Sequence, residues 1–237
     1  MARPEMLSLE AHKNTRIITA RGAAYGDNVH MVPVTARELP RLVVDFPVVM
    51  IKNNETGQFE LTVLLGFEPG ENLYLEDDKW TTRYIPLHLQ RQPFMVGFQT
   101  RKGDDPGAKN AVMSLDMDSN RVSTTEGEPL FLEDGKKSPL LERMDGILSE
   151  LMSGTELTKV FLAKILELEL IEPAQMDVTF PSGKKMRYDG VYTVNAEKLA
   201  ALEGEQLQEL HKRGFLQACH IMMASLGQFN KLIARKK

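Results

Sequence analysis

Short β-branched and aromatic runs punctuated by turn formers fill residues 14–123, and from Ser138 onward the apolar positions recur at three- and four-residue spacings. The first pattern fits half-buried strands and the second the buried faces of helices. Residues 16–20 and 30–34 are short extended segments. Thr35 caps a brief helix over 37–44 that Pro47 limits, since the residue before a proline is pushed out of the helical region. Residues 47–52 and 59–67 flank Asn53-Asn54-Glu55-Thr56-Gly57 and predict a hairpin. A second hairpin is expected from 72–75 and 80–84 around Glu76-Asp77-Asp78. A third is expected from 95–100 and 111–117 around the exposed, turn-rich loop Lys102-Gly103-Asp104-Asp105-Pro106-Gly107.

In the second half, Ser138-Pro139 supplies a cap and a proline at the first helical position, and Leu140, Leu141, Met144, Ile147, Leu148 and Leu151 follow at helical spacing. Gly154 is expected to end that helix. Ser153 and Glu156 then cap a second one, whose apolar face runs through Phe161 and Ile165 and ends before Pro173. Residues 176–180 and 185–194 flank Pro181-Ser182-Gly183 as a further hairpin, and Asn195 caps the next helical stretch, broken near Gly204 and closed by Gly214. The last helix, 215–234, carries a seam of Phe215, Cys219, Met222, Leu226, Phe229 and Ile233 that needs an apolar partner; the helix over 155–171 is the nearest intramolecular candidate, and a second copy of the chain is the alternative. The fold expected is α+β. An N-terminal antiparallel β-rich region, 1–137, packs with a mainly helical region, 138–237, that contains one hairpin over 176–194, all within one integrated globular domain.

Composition narrows the function classes. The formal net charge of −4, from 29 basic and 33 acidic residues, gives no overall positive field to draw in nucleic acid. A single cysteine, Cys219, cannot form an intramolecular disulfide and fits a reducing cytoplasm. The residues behind Met1 lack the continuous apolar stretch of a secretory signal, and the longest apolar runs, 42–51 and 215–226, fall short of a membrane span.

Recognisable catalytic chemistry is not expected. His12, His30, His88, His211 and His220 form no pair three to five residues apart, so no zinc signature is present, and none is followed by the x-Asp or x-Glu that begins a facial iron triad. Asp116-Met117-Asp118-Ser119-Asn120 opens like a calcium loop, but Arg121 stands where glycine is needed and Gly127 where glutamate is, leaving an ordinary turn. Phosphate-cradling glycine loops and a nucleophile elbow are missing. Cys219 lies on the apolar seam, and His220 points about 100° away from it on a helix, which argues for a buried structural thiol. One cluster does suit a ligand: Trp80, Arg83, Tyr84, Gln90 and Arg91 combine aromatic faces with planar polar groups, as a sugar or peptide site does.

The stretches Glu38-Leu39-Pro40, Asp45-Phe46-Pro47-Val48, Leu64-Leu65-Gly66, Asn72-Leu73-Tyr74, Tyr84-Ile85-Pro86 and Arg91-Gln92-Pro93-Phe94 follow one another in the order and spacing of the SapC family. Gly127-Glu128-Pro129-Leu130-Phe131, Asp134-Gly135, Gly190-Val191-Tyr192 and Ala224-Ser225-Leu226 carry the resemblance to the C-terminal end. Many members have paired arginines before the Pro-Phe element, where this chain has Gln90 and Arg91. Relatives are often encoded beside TonB-dependent receptors, cupin-like oxygenase relatives and halogenase-like proteins. The resemblance therefore implies an accessory role in uptake or tailoring of a carbohydrate or peptide in bacteria, with partner proteins among those neighbours. Together with the missing catalytic motifs and the aromatic and polar cluster, the expectation is a non-enzymatic accessory or binding protein with no cofactor. The alternative is an enzyme or enzyme subunit in oxygenase- or halogenase-associated tailoring that carries no recognisable motif.

Overall fold

The computed structural model describes residues 3–100 and 110–236, so the expected loop over 102–107 lies outside the described residues. The architecture is α+β with antiparallel sheets. Two compact units are present, each assembled from two separate stretches of chain.

The first unit comprises Met1–Asp27 and Leu87–Met152. Its larger sheet sets the strand Asn110–Asp116 between Phe94–Gln99 and the short N-terminal strand Pro4–Met6. Phe94 and Glu5 both stand opposite Leu115, and Phe94 and Leu115 are fully buried. A second, small sheet places Arg16–Ile17 between Val122–Ser123 and Glu128–Pro129. Gly127 enters that sheet at φ 92°, and a Cβ there would lie 2.3 Å from the Ile17 carbonyl oxygen, so only glycine fits. The expected strand over 16–20 stops at Ile17 because the carbonyls of Ile18 and Ala20 accept from the Arg121 guanidinium instead of a strand partner.

The second unit comprises Asn28–Pro86 and Ser153–Lys237. It is built on a five-stranded sheet in the order Ile171–Thr179, Lys185–Val194, Val48–Lys52, Phe59–Leu64, Met31–Pro33, every pair antiparallel. The hairpin expected at Asn53–Gly57 forms as its residues dictate. Asn53 Oδ1 accepts the backbone N–H of Glu55 and Thr56, and Gly57 takes φ 71°. At the second hairpin Asp77 and Asp78 both adopt left-handed angles, φ 49° and 58°, as a two-residue turn of this hand requires. Its strands shrink to Leu75–Glu76 and Lys79–Trp80: the Thr81 N–H still reaches the Tyr74 carbonyl at 2.9 Å, but the Tyr74 N–H is taken by the Asn72 side chain at 3.0 Å instead of a cross-strand partner.

The helical half departs from expectation in two places. Pro139–Glu167 is one continuous helix, not two separated at Gly154. Gly154 is a packing glycine: a Cβ there would come within 2.7 Å of Thr35 Oγ1 and 2.8 Å of Thr35 Cβ. Thr158, one turn on, accepts the Ala36 N–H at 2.8 Å and so holds the same approach. The helix ends through Glu169 at φ 53°, a left-handed stop made without glycine, with the Glu169 carboxylate on Lys198 at 2.9 Å.

The last helix is likewise divided, into Phe215–Ser225 and Gln228–Arg235. Ser225 is fully buried and its hydroxyl accepts the Val48 N–H at 3.0 Å while donating to the Met222 carbonyl at 2.6 Å. The seam keeps Phe215, Cys219, Met222 and Phe229 buried, but beyond the break Leu232 replaces Ile233 on the inner face. Phe215 meets Phe161 of the long helix, as expected, at 5.3 Å between ring centroids. Phe229 instead packs on Phe67 and Tyr188, at 5.6 and 5.8 Å, so the seam covers the sheet as well as a helix.

Among the described residues, no helix is long and apolar enough to cross a membrane.

Candidate ligand-binding cleft

The expected ligand residues fall in both units. Trp80 is half-buried on its short strand and Arg83 is exposed beyond it, in the second unit. Tyr84, also there, donates its hydroxyl to Glu38 Oε1 at 2.9 Å and carries the Arg41 guanidinium over its ring at 4.8 Å. Glu38 is fully buried and also accepts the N–H and hydroxyl of Thr35, closing the capping box of that turn. Tyr84 therefore serves a buried structural network. Gln90 and Arg91 belong to the first unit, at the end of the one-turn helix Leu87–Gln90.

Arg91 lines a cleft of about 420 Å³ that lies wholly within the first unit. The helix ends there with the Arg91 N–H on the Leu87 carbonyl, and the side chain turns back so that Nη1 donates to the Phe94 carbonyl at 2.6 Å. Nε approaches His88 Nδ1 at 3.5 Å. Burial, and then the charge of Arg91, pushes the His88 imidazole down to about 4, so it is neutral at pH 7. Burial also lowers the Arg91 guanidinium from its ordinary range, although it remains a cation.

The opposite part of the wall is built on the Gly22–Asp27 turn. Gly26 takes φ 83°, and the one-turn 3₁₀ segment Ala23–Tyr25 presents the Tyr25 ring. Asp27, fully buried, accepts the Gly22 N–H at 2.9 Å through Oδ2. Through Oδ1 it meets Arg121 Nη2 at 3.3 Å and Arg21 Nη1 at 3.5 Å. Arg121 is 2% exposed, and its guanidinium lies 5.3 Å over the Tyr25 ring. Its Nη1 donates to the Ile18 and Ala20 carbonyls, whereas its Nε has no hydrogen-bond partner in the described structure. Burial first, and the neighbouring Arg21 second, lower the Arg121 guanidinium, with Asp27 opposing them.

The turn read from sequence as an Asp-Ser-Asn turn forms the third side. Asp116 Oδ1 accepts from the backbone N–H of Arg3 and of Asp118, Asp118 pairs with Arg3 Nε at 3.3 Å, and Asn120 donates to the Ala24 carbonyl. The cleft thus offers an aromatic ring, guanidinium, carboxylate, amide and hydroxyl groups in one concave wall. That is the mixture that fixes a polar organic ligand by stacking and hydrogen bonding.

Of the expected residues, the cleft takes Arg91. Tyr25 and Arg121 are additions that no local sequence signal marks, and Gln92 comes from the Arg91-Gln92-Pro93-Phe94 stretch that carries the family resemblance. Arg121 follows a turn that looks solvated, and its carboxylate partner is 94 residues away. Among the described residues, no group of three or more His, Cys, Asp or Glu side chains is placed to hold a metal ion.

The SapC family model matches residues 7–232 of the chain. No curated protein matches, and no solved structure matches.

Proposed function

The chain belongs to the SapC family, and from that premise we propose that it is a non-enzymatic binding protein that holds an oligosaccharide or a peptide in the cleft of its first unit. The observation that carries this reading is the half-buried Arg91 facing the same space as the Tyr25 ring and the Asn120 amide. The cleft volume falls within the roughly 300–1,000 Å³ of small-ligand sites. Such a role agrees with a cytoplasmic accessory protein that hands a carbohydrate or peptide to an oxygenase-like or halogenase-like partner, or that follows its uptake. The buried, free Cys219 agrees with that compartment.

Thermal shift against panels of oligosaccharides and short peptides tests the proposal. A ligand at a hundred times its Kd adds about 2.7 kcal/mol of stability. Tyr25→Ala and Asn120→Ala should abolish the stabilisation, and Trp80→Ala and Arg83→Ala measure whether the expected aromatic group of the second unit contributes. Stabilisation that survives Tyr25→Ala and Asn120→Ala removes the cleft as the site. Turnover of a bound ligand would replace the binding role with the enzymatic alternative.

A further inference from the structure

The wall of the cleft carries an unbalanced cation. Arg21 and Arg121 share the buried carboxylate of Asp27. Asp116 and Asp118 are both engaged by Arg3, through its backbone N–H and its guanidinium respectively. Arg91 meets no carboxylate among the described residues: its guanidinium contacts are the Phe94 carbonyl and the His88 imidazole, both neutral at pH 7. A guanidinium has five N–H donors in a planar fork, and these two contacts use the Nε donor and one of the two on Nη1, so the second Nη1 donor and both Nη2 donors remain for a ligand in the cleft that Arg91 lines. A half-buried cation without a counter-ion is costly, and an anion that enters beside it recovers that cost.

We propose that Arg91 is a carboxylate-binding residue, and that the ligand of the cleft carries a carboxylate, either of a sugar acid or of a free peptide C-terminus. This rests on the cleft being the ligand site. A carboxylate is favoured over a phosphate because Arg91 supplies a single fork, whereas Asp116 and Asp118 on the same wall repel a dianion.

Isothermal titration with paired probes tests the assignment: trigalacturonate against galactotriose, and trialanine against its C-terminal amide. The wild-type protein should bind the acid form of one pair at least about tenfold more tightly than the neutral form, as a charge-assisted hydrogen bond requires. The pair that responds separates sugar acid from peptide terminus. Arg91→Gln should equalise acid and neutral forms, and Arg91→Lys, which keeps the charge without the fork, should retain part of the preference; it also serves if the glutamine variant fails to fold. Equal binding of acid and neutral forms by the wild type, or a preference that survives Arg91→Gln, overturns the carboxylate assignment and leaves the cleft as a ligand site. Absence of binding by all four probes overturns both.

Discussion

Arg121 donates to Asp27 at 3.3 Å across 94 residues of sequence, and neither side chain is more than 2% exposed. The pair ties the strand Val122–Ser123 and its preceding turn to the Gly22–Asp27 turn that carries Tyr25. Asp27→Ala should therefore destabilise the first unit by about 3–5 kcal/mol, because it strands a buried guanidinium. Urea unfolding followed by hydrogen exchange in the first unit reads this out; a loss below about 1 kcal/mol would show that the carbonyls of Ile18 and Ala20 suffice to hold Arg121.

Two glycines of the long helix should respond with opposite signs. Gly154→Ala drives a methyl group into Thr35 and should cost about 1–3 kcal/mol. Gly146→Ala, at an exposed position where a Cβ meets nothing within 4 Å, should stabilise by up to about 1 kcal/mol through helix propensity. Equal effects in denaturant titrations would mean that Thr35 yields without cost.

The depressed imidazole of His88 sets a pH dependence. The unfolded side chain titrates near its ordinary value of 6.5 and the folded one near 4, so the unfolded state binds more protons in that interval. Stability should rise from pH 4 to pH 6.5 and level off above, with a contribution of up to roughly 3 kcal/mol from this residue. His88→Asn keeps an acceptor for Arg91 and removes the titration. The difference between wild type and variant in urea midpoints at pH 7 and pH 4.5 isolates the effect, and parallel pH profiles would refute it.

Cys219 is fully buried, and burial pushes its thiol up to about 12. A disulfide reagent at pH 8 should leave the native protein unlabelled and react stoichiometrically in urea. Fast native labelling would show that the helix Phe215–Ser225 opens locally well below the global unfolding free energy.

Local chemistry in the sequence determined the hairpin at Asn53–Gly57, the 3₁₀ capping box of Thr35 and Glu38, the left-handed close at Gly214, and the pairing of Lys185–Val194 with the strand before it. Each of these depends on residues near one another in the chain, whose turn and cap preferences are nearly independent of the rest. Of the aromatic and polar cluster read from the sequence, Arg91 lines the cleft of the first unit while Trp80, Arg83 and Tyr84 belong to the second unit, a division made by tertiary contacts that closeness in sequence does not reveal. Tertiary structure decided what Gly154 and Ser225 do. The same glycine that would end an isolated helix instead admits Thr35, and the same serine that could sit within one divides it to satisfy the Val48 N–H. It also brought Tyr25 and Arg121 to the cleft, because a buried guanidinium requires a carboxylate and carbonyls wherever the chain can supply them, and Asp27, Ile18 and Ala20 lie about a hundred residues upstream.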